Sequence, residues 1–175
     1  MTRGLIHVYT GDGKGKTTAS VGLSVRAAGA GLPVVFSQFM KAATSSEVKM
    51  LEKLDGIQTM VAQGKAKFSF KMTEEEKEQT KQASNDLLKR AFEAAGEGPC
   101  LLVLDESLNA YRLGLIDKEA LERAVITKPE QVELVLTGRK ADLFFIEHAD
   151  YVTEMVAHKH PYATEGIKAR KGIEF

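Results

Sequence analysis

The chain has 175 residues, enough for one domain (1–175) with a sizeable core, and its 43% apolar and 27% charged content is ordinary for a globular protein. A formal net charge of zero supplies no global field towards nucleic acid or an anionic membrane, and no apolar stretch is long enough to cross a bilayer. The single cysteine excludes an internal disulfide. With no signal-peptide pattern ahead of the first strand, it leads us to expect a cytoplasmic protein.

In chain order, an apolar strand-like run at Gly4–Thr10 is followed by Thr10-Gly11-Asp12-Gly13-Lys14-Gly15-Lys16-Thr17-Thr18 and then by a helical segment from Lys16 to about Ala30, stopped by Gly29, Gly31 and Pro33. Strand, glycine loop and helix form the context of a phosphate-binding loop. Glycines let backbone N–H groups approach phosphate oxygens, and the helix presents its positive end to the same anion. Lys16 adds a charge, Lys14 a second, and the Thr17 hydroxyl is suited to Mg²⁺. The strict pattern Gly-x-x-x-x-Gly-Lys-Thr would place glycine where Thr10 stands. Further strands are expected at Pro33–Met40, Ile57–Ala62, Cys100–Asp105, Val132–Thr137 and Tyr151–Ala157. Helices are expected at Ser46–Leu54, from Thr73 to about Ala95, from Asp117, and over Ala141–His148. The Thr73 helix carries a capping box with Glu76 and ends at Gly96. Cys100 opens an apolar strand and reads as a core residue.

This alternation predicts an α/β fold of P-loop NTPase-like architecture, with a mainly parallel sheet of about six strands and helices on both faces. Ligands of such sheets bind at the carboxyl ends of the strands. That edge would hold the glycine loop, Gln38–Lys41, Asp105–Glu106, Thr137–Arg139 and the segment after Val156. Leu101-Leu102-Val103-Leu104-Asp105-Glu106 has the form of a Walker B strand, which delivers a carboxylate to that edge. Glu106 has two possible tasks, activating a water or holding a metal, and spacing does not separate them.

The ordered set of motifs resembles the P-loop ATP:corrinoid adenosyltransferases nearly end to end. It comprises residues 10–18, Gln38-Phe39-Met40-Lys41, Val103-Leu104-Asp105-Glu106 and Leu136-Thr137-Gly138-Arg139. It continues with Ala149–Met155, Lys159-His160-Pro161 and Gly166–Glu174. Thr10 fits that family's form of the loop. The resemblance implies transfer of the 5′-deoxyadenosyl group of ATP to Co(I) of a reduced corrinoid such as cob(I)alamin, with release of triphosphate, in cobalamin biosynthesis or salvage. No γ-phosphoryl group moves, so catalysis should rest on positioning and on stabilising polyanionic charge.

On that resemblance Lys14, Lys16 and Arg139 are candidate catalytic residues. Arg139 reaches phosphate or makes a structural ion pair. Residues Thr10 to Thr18 would bind the nucleotide, and Arg26, which matches the family on the first helix, either joins them or is a solvated helix arginine. Thr17 and Glu106 would hold the metal, with Asp105 in support. Phe68 and Phe70, in Gly64–Phe70, either crowd the lower corrin face or pack beneath the following helix. No tryptophan is present, although some relatives carry one in that segment. His160 reads as structural or at the substrate edge, because Co(I) needs its lower axial site vacant. Only Met1–Arg3 precede the first strand, which predicts a more open corrinoid site or one completed by a partner subunit. A homodimer and a reduced flavoprotein electron donor are also implied. The rival readings are a P-loop ATPase or nucleotide switch, a small-molecule kinase, and a non-catalytic regulator.

Overall fold

The computed structural model describes residues 3–40, 45–62 and 72–173. Six strands, β1 (Ile6–Thr10), β2 (Val34–Gln38), β3 (Ile57–Val61), β4 (Cys100–Asp105), β5 (Val132–Thr137) and β6 (Tyr151–Glu154), form one sheet in the order β3-β2-β4-β5-β1-β6. Every pairing is parallel. Parallel neighbours need crossovers, and helices supply them. These are α1 (Lys16–Gly29), α2 (Ser46–Leu51), α3 (Glu74–Ala95), α4 (Ser107–Arg112), α5 (Lys118–Ile126), α6 (Leu143–His148) and α7 (Pro161–Glu165).

The strands alternate their side chains between two cores. Leu102, Leu104, Leu134 and Leu136 face a layer containing Leu87 and Ala91 of α3, Leu108 of α4, Leu121 of α5 and Phe145 of α6. Leu101, Val103 and Val135 face Ala27 of α1 with Val48 and Leu51 of α2. Because both faces are covered, β2 and β4 are buried along their whole length, which is why β4 reads as an apolar run from Cys100 to Leu104. Cys100 is buried, and burial pushes its thiol pKa up, as befits a core residue.

Helix α3 forms where its cap requires. Glu76 N donates to Thr73 Oγ1 at 3.2 Å, and Thr73 N donates to Glu76 Oε2 at 3.0 Å. Three acidic residues in its first turn suit the helix dipole, and Gly96 with φ 63° ends it. Two short helices, α4 and α7, were not expected from the sequence, and the last strand stops at Glu154 rather than Ala157. β6 is an edge strand whose four residues are all exposed, so no buried apolar face holds it further. Helix α7 is five residues with no buried side chain; His160 caps it by accepting from Tyr162 N at 3.3 Å, with Pro161 opening its first turn.

The register sets the site. Gln38 lies level with Asp105, Leu104 with Leu136, and Tyr9 with Thr137. The carboxyl ends of β2, β4, β5 and β1 therefore stand in one row. Leu102, fully buried in the centre of β4, tests the core that maintains this row. Leu102→Ala should lower unfolding free energy by about 2–5 kcal/mol in denaturant titration.

Candidate functional site

The glycine loop closes over its own lysine. Lys16 is buried, and its Nζ donates to the carbonyls of Gly11 at 2.7 Å and Gly13 at 2.6 Å. Its ammonium is thereby held at the mouth of α1, where the first-turn N–H groups of the helix also point. Burial pushes the Lys16 pKa down, Arg139 adds to that push, and Glu106, Asp12 and Asp105 pull the other way. Lys16 thus sits within the field of both acidic candidates and of Arg139.

Two glycines in this loop have a reason beyond phosphate approach. A Cβ on Gly11, whose φ is 98°, would stand 2.4 Å from the Met155 carbonyl oxygen, and one on Gly13 would stand 2.6 Å from it. The chain leaving β6 lies directly across the loop. Met155 N donates to Thr10 O at 2.9 Å, and Gly13 N donates to Met155 O at 2.6 Å. One loop amide is therefore spent on the neighbouring strand. Thr10 closes the other flank, its Oγ1 accepting from Ala141 N at 3.0 Å. Thr10 ends β1 without a positive φ, so glycine is not needed there and a hydroxyl is used instead.

Asp105 stands at the centre of the row and has no exposed surface. Thr17 Oγ1 donates to its Oδ1 at 2.9 Å, Thr137 Oγ1 to the same oxygen at 2.7 Å, and Gln38 Nε2 to Oδ2 at 2.9 Å. Gln38 is itself oriented by Ser45 Oγ, which donates to its Oε1 at 2.9 Å. Thr137 also accepts from Glu106 N at 2.9 Å. That bond holds Glu106 in a left-handed conformation, φ 64°, at the start of α4. The Glu106 carboxylate accepts from Asn109 Nδ2, and Asn109 Oδ1 accepts from Arg139 N at 2.9 Å.

The sequence candidates thus divide. Thr10 to Thr17, Asp105, Glu106 and Arg139 come together at one edge, with the side chains of Asp12, Lys14 and Arg139 exposed. Thr18 is exposed on the first turn of α1. Arg26 is not brought there: ten residues beyond Lys16, it lies about 15 Å further along the helix axis. It sits exposed in the last turn, close enough to Tyr9 to temper the burial-driven rise of that phenol's pKa. Phe68 and Phe70 lie outside the described residues, as does Lys41. Gln38 and Thr137, expected at this edge without an assigned role, do lie there, and Asn109 and the Met155 backbone join them without having been singled out from the sequence. Gln38 and Thr137 stood within quoted motifs, yet their partners follow only from the strand order.

The donor set suits magnesium. It is all oxygen: the Thr17 hydroxyl, oriented by Asp105, and the carboxylate of Glu106, the residue that follows Asp105 at the end of β4. Magnesium takes few protein ligands and fills its shell with phosphate and water.

A family model described as ATP:corrinoid adenosyltransferase BtuR/CobO/CobP matches residues 2–175. A corrinoid adenosyltransferase of Sinorhizobium sp. is 36% identical, over 99% of this chain and 81% of its own length. Those of Pseudomonas aeruginosa and Escherichia coli K12 are 32% and 30% identical, over 99% of this chain and 84% and 86% of theirs. Among solved structures, the cytoplasmic domain of EssC matches with a TM-score of 0.52 at 14% identity, over 98% of this chain and 37% of that one, a likeness of fold alone.

The close fit of the Met155 carbonyl over the loop gives a direct test. Gly11→Ala would collide with it and add backbone strain at a positive φ of about 1–3 kcal/mol. ATP affinity by calorimetry should fall by roughly tenfold or more through the distorted loop.

Proposed function

The chain belongs to the ATP:corrinoid adenosyltransferase family and adenosylates corrinoids with ATP, and on that premise we propose how its residues divide the work. The observation that carries the reading is the meeting of Lys16, Thr17, Asp105, Glu106 and the Arg139 loop at one sheet edge.

The substrate cobalt supplies an electron pair as Co(I). That pair forms a Co–C bond to the ribose C5′ of ATP, the C5′–O bond breaks, and triphosphate leaves with its electrons, so that cobalt becomes formally Co(III). The protein's task is to receive charge on the leaving group. Lys16, held by the Gly11 and Gly13 carbonyls, meets the phosphates at the start of α1. Its partial desolvation strengthens that contact. Lys14 and Arg139 extend the positive field over the rest of the triphosphate. Thr17 and Glu106 would hold Mg²⁺, with Asp105 orienting Thr17. Bound there, the ion would neutralise phosphate charge and fix the triphosphate's geometry. No residue need activate a water.

The segment with Phe68 and Phe70 is our candidate for the lower corrin face. A cytoplasmic homodimer, with a reduced flavoprotein as electron donor to the corrinoid cobalt, completes the reading; the family resemblance supports it, and the single buried cysteine suits a reducing compartment.

The test is anaerobic mixing with MgATP and chemically reduced cob(I)alamin. Light-sensitive adenosylcobalamin should form with one triphosphate per turnover. Lys16→Ala should lose about 2–4 kcal/mol of transition-state stabilisation, a rate loss of roughly 30- to 1,000-fold. Steady release of inorganic phosphate without corrinoid, or near-normal turnover in Lys16→Ala, would overturn the assignment.

A further inference from the structure

We propose that Asn109 is a positioning residue for the transfer reaction: its carboxamide sets the Glu106 carboxylate and the Arg139 loop at a fixed separation across the phosphate site. The inference rests on the reading of Glu106 and Arg139 as site residues.

The hydrogen-bond chemistry admits one orientation of this amide. A carboxylate only accepts and a backbone N–H only donates, so Nδ2 must face Glu106 and Oδ1 must face Arg139. No other side chain of this length both donates and accepts in that way. Aspartate lacks the donor, alanine lacks both groups, and glutamine adds a methylene.

Both groups that Asn109 joins are held in unusual places. Glu106 is one of three described non-glycine residues with positive φ, a conformation worth about 1–3 kcal/mol of strain. Thr137 pins its backbone; Asn109 pins its side chain. The Arg139 loop is seated on the first turn of α4 with no room to spare. A Cβ on Gly138 would stand 2.7 Å from Leu108 Cβ and 2.8 Å from Asn109 N. The glycine therefore lets Arg139 N reach the Asn109 carbonyl. The bridge thus ends on the Glu106 carboxylate at one side and on the Arg139 backbone N–H at the other. Glu106 and Arg139 also act with opposite sign on Lys16, so both ends of the bridge stand within the field of that ammonium.

The experiment compares wild type, Asn109→Ala and Asn109→Asp. It measures kcat and KM for adenosylation, and ATP affinity with and without Mg²⁺. By analogy with groups that orient metal ligands, Asn109→Ala should lose about 10- to 100-fold in kcat with little change in corrinoid KM. Its gain in ATP affinity on adding Mg²⁺ should shrink. Asn109→Asp keeps the acceptor for Arg139 N but faces the Glu106 carboxylate with a like charge, so its kcat should fall at least as far as that of Asn109→Ala. A merely structural asparagine would lower melting temperature in both variants and leave kcat and the Mg²⁺ response of the folded protein unchanged. Wild-type kcat and Mg²⁺ response in Asn109→Ala would overturn the proposal. If wild type itself makes no adenosylcorrinoid, the reaction assignment fails separately. The Mg²⁺-dependent gain in ATP affinity then decides the role of Asn109: a smaller gain in Asn109→Ala supports it, and an equal one overturns it.

Discussion

A carboxylate with no access to water must be met by donors, and Asp105 meets its donors from three different elements. Burying the charge costs several kcal/mol, while each hydrogen bond to a charged group returns about 1.5–3 kcal/mol, so the three donors together offset much of that cost. Thr17 comes from α1, Gln38 from β2 and Thr137 from β5. Helix α1, which packs against one face of the sheet, is tied by this anion to the strands that flank β4. From there the order passes outwards. Ser45 orients Gln38, Thr137 holds the backbone of Glu106, and Asn109 carries the restraint to Arg139.

The loop itself is fixed from its other side. The Met155 backbone crosses it, exchanging bonds with Thr10 and Gly13, and Thr10 reaches Ala141 through its hydroxyl. Lys16 is caught between these two sets of restraints and is desolvated as a result. Such preorganisation suits a reaction whose main difficulty is a departing polyanion. Charge must be received at a place settled before the bond breaks, because reorganising polar groups during the step would consume the stabilisation.

Much of the fold could be read from local pattern. The long buried strands announced themselves because covered parallel strands are apolar throughout, and α3 because its capping box, acidic first turn and terminal glycine all agree. Helices α4 and α7 escaped because neither opens on a Ser, Thr, Asp or Asn cap, their N-cap residues being Glu106 and His160, and the end of β6 because nothing buried continues it. At the site, Lys16, Thr17 and Asp105 were legible since each sits in a contiguous motif. The partners Gln38, Thr137 and Asn109 were not, because their roles arise from the strand order β2-β4-β5-β1, which is a property of the sheet and of no single segment. Arg26 shows the converse. It was named on the resemblance alone, and helix rise places it towards the other end of α1.

The central claim is that the Asp105 carboxylate organises the nucleotide site, and Asp105→Asn tests it with little change of volume. An amide there cannot accept from Thr17, Thr137 and Gln38 in the same way, and it presents N–H groups to neighbours that are themselves donors. The decisive measurement is ATP affinity by calorimetry, with and without Mg²⁺, on folded Asp105→Asn protein. The account predicts that the gain in affinity on adding Mg²⁺ is largely lost, by at least about tenfold. Wild-type affinity with an undiminished Mg²⁺ response would contradict it.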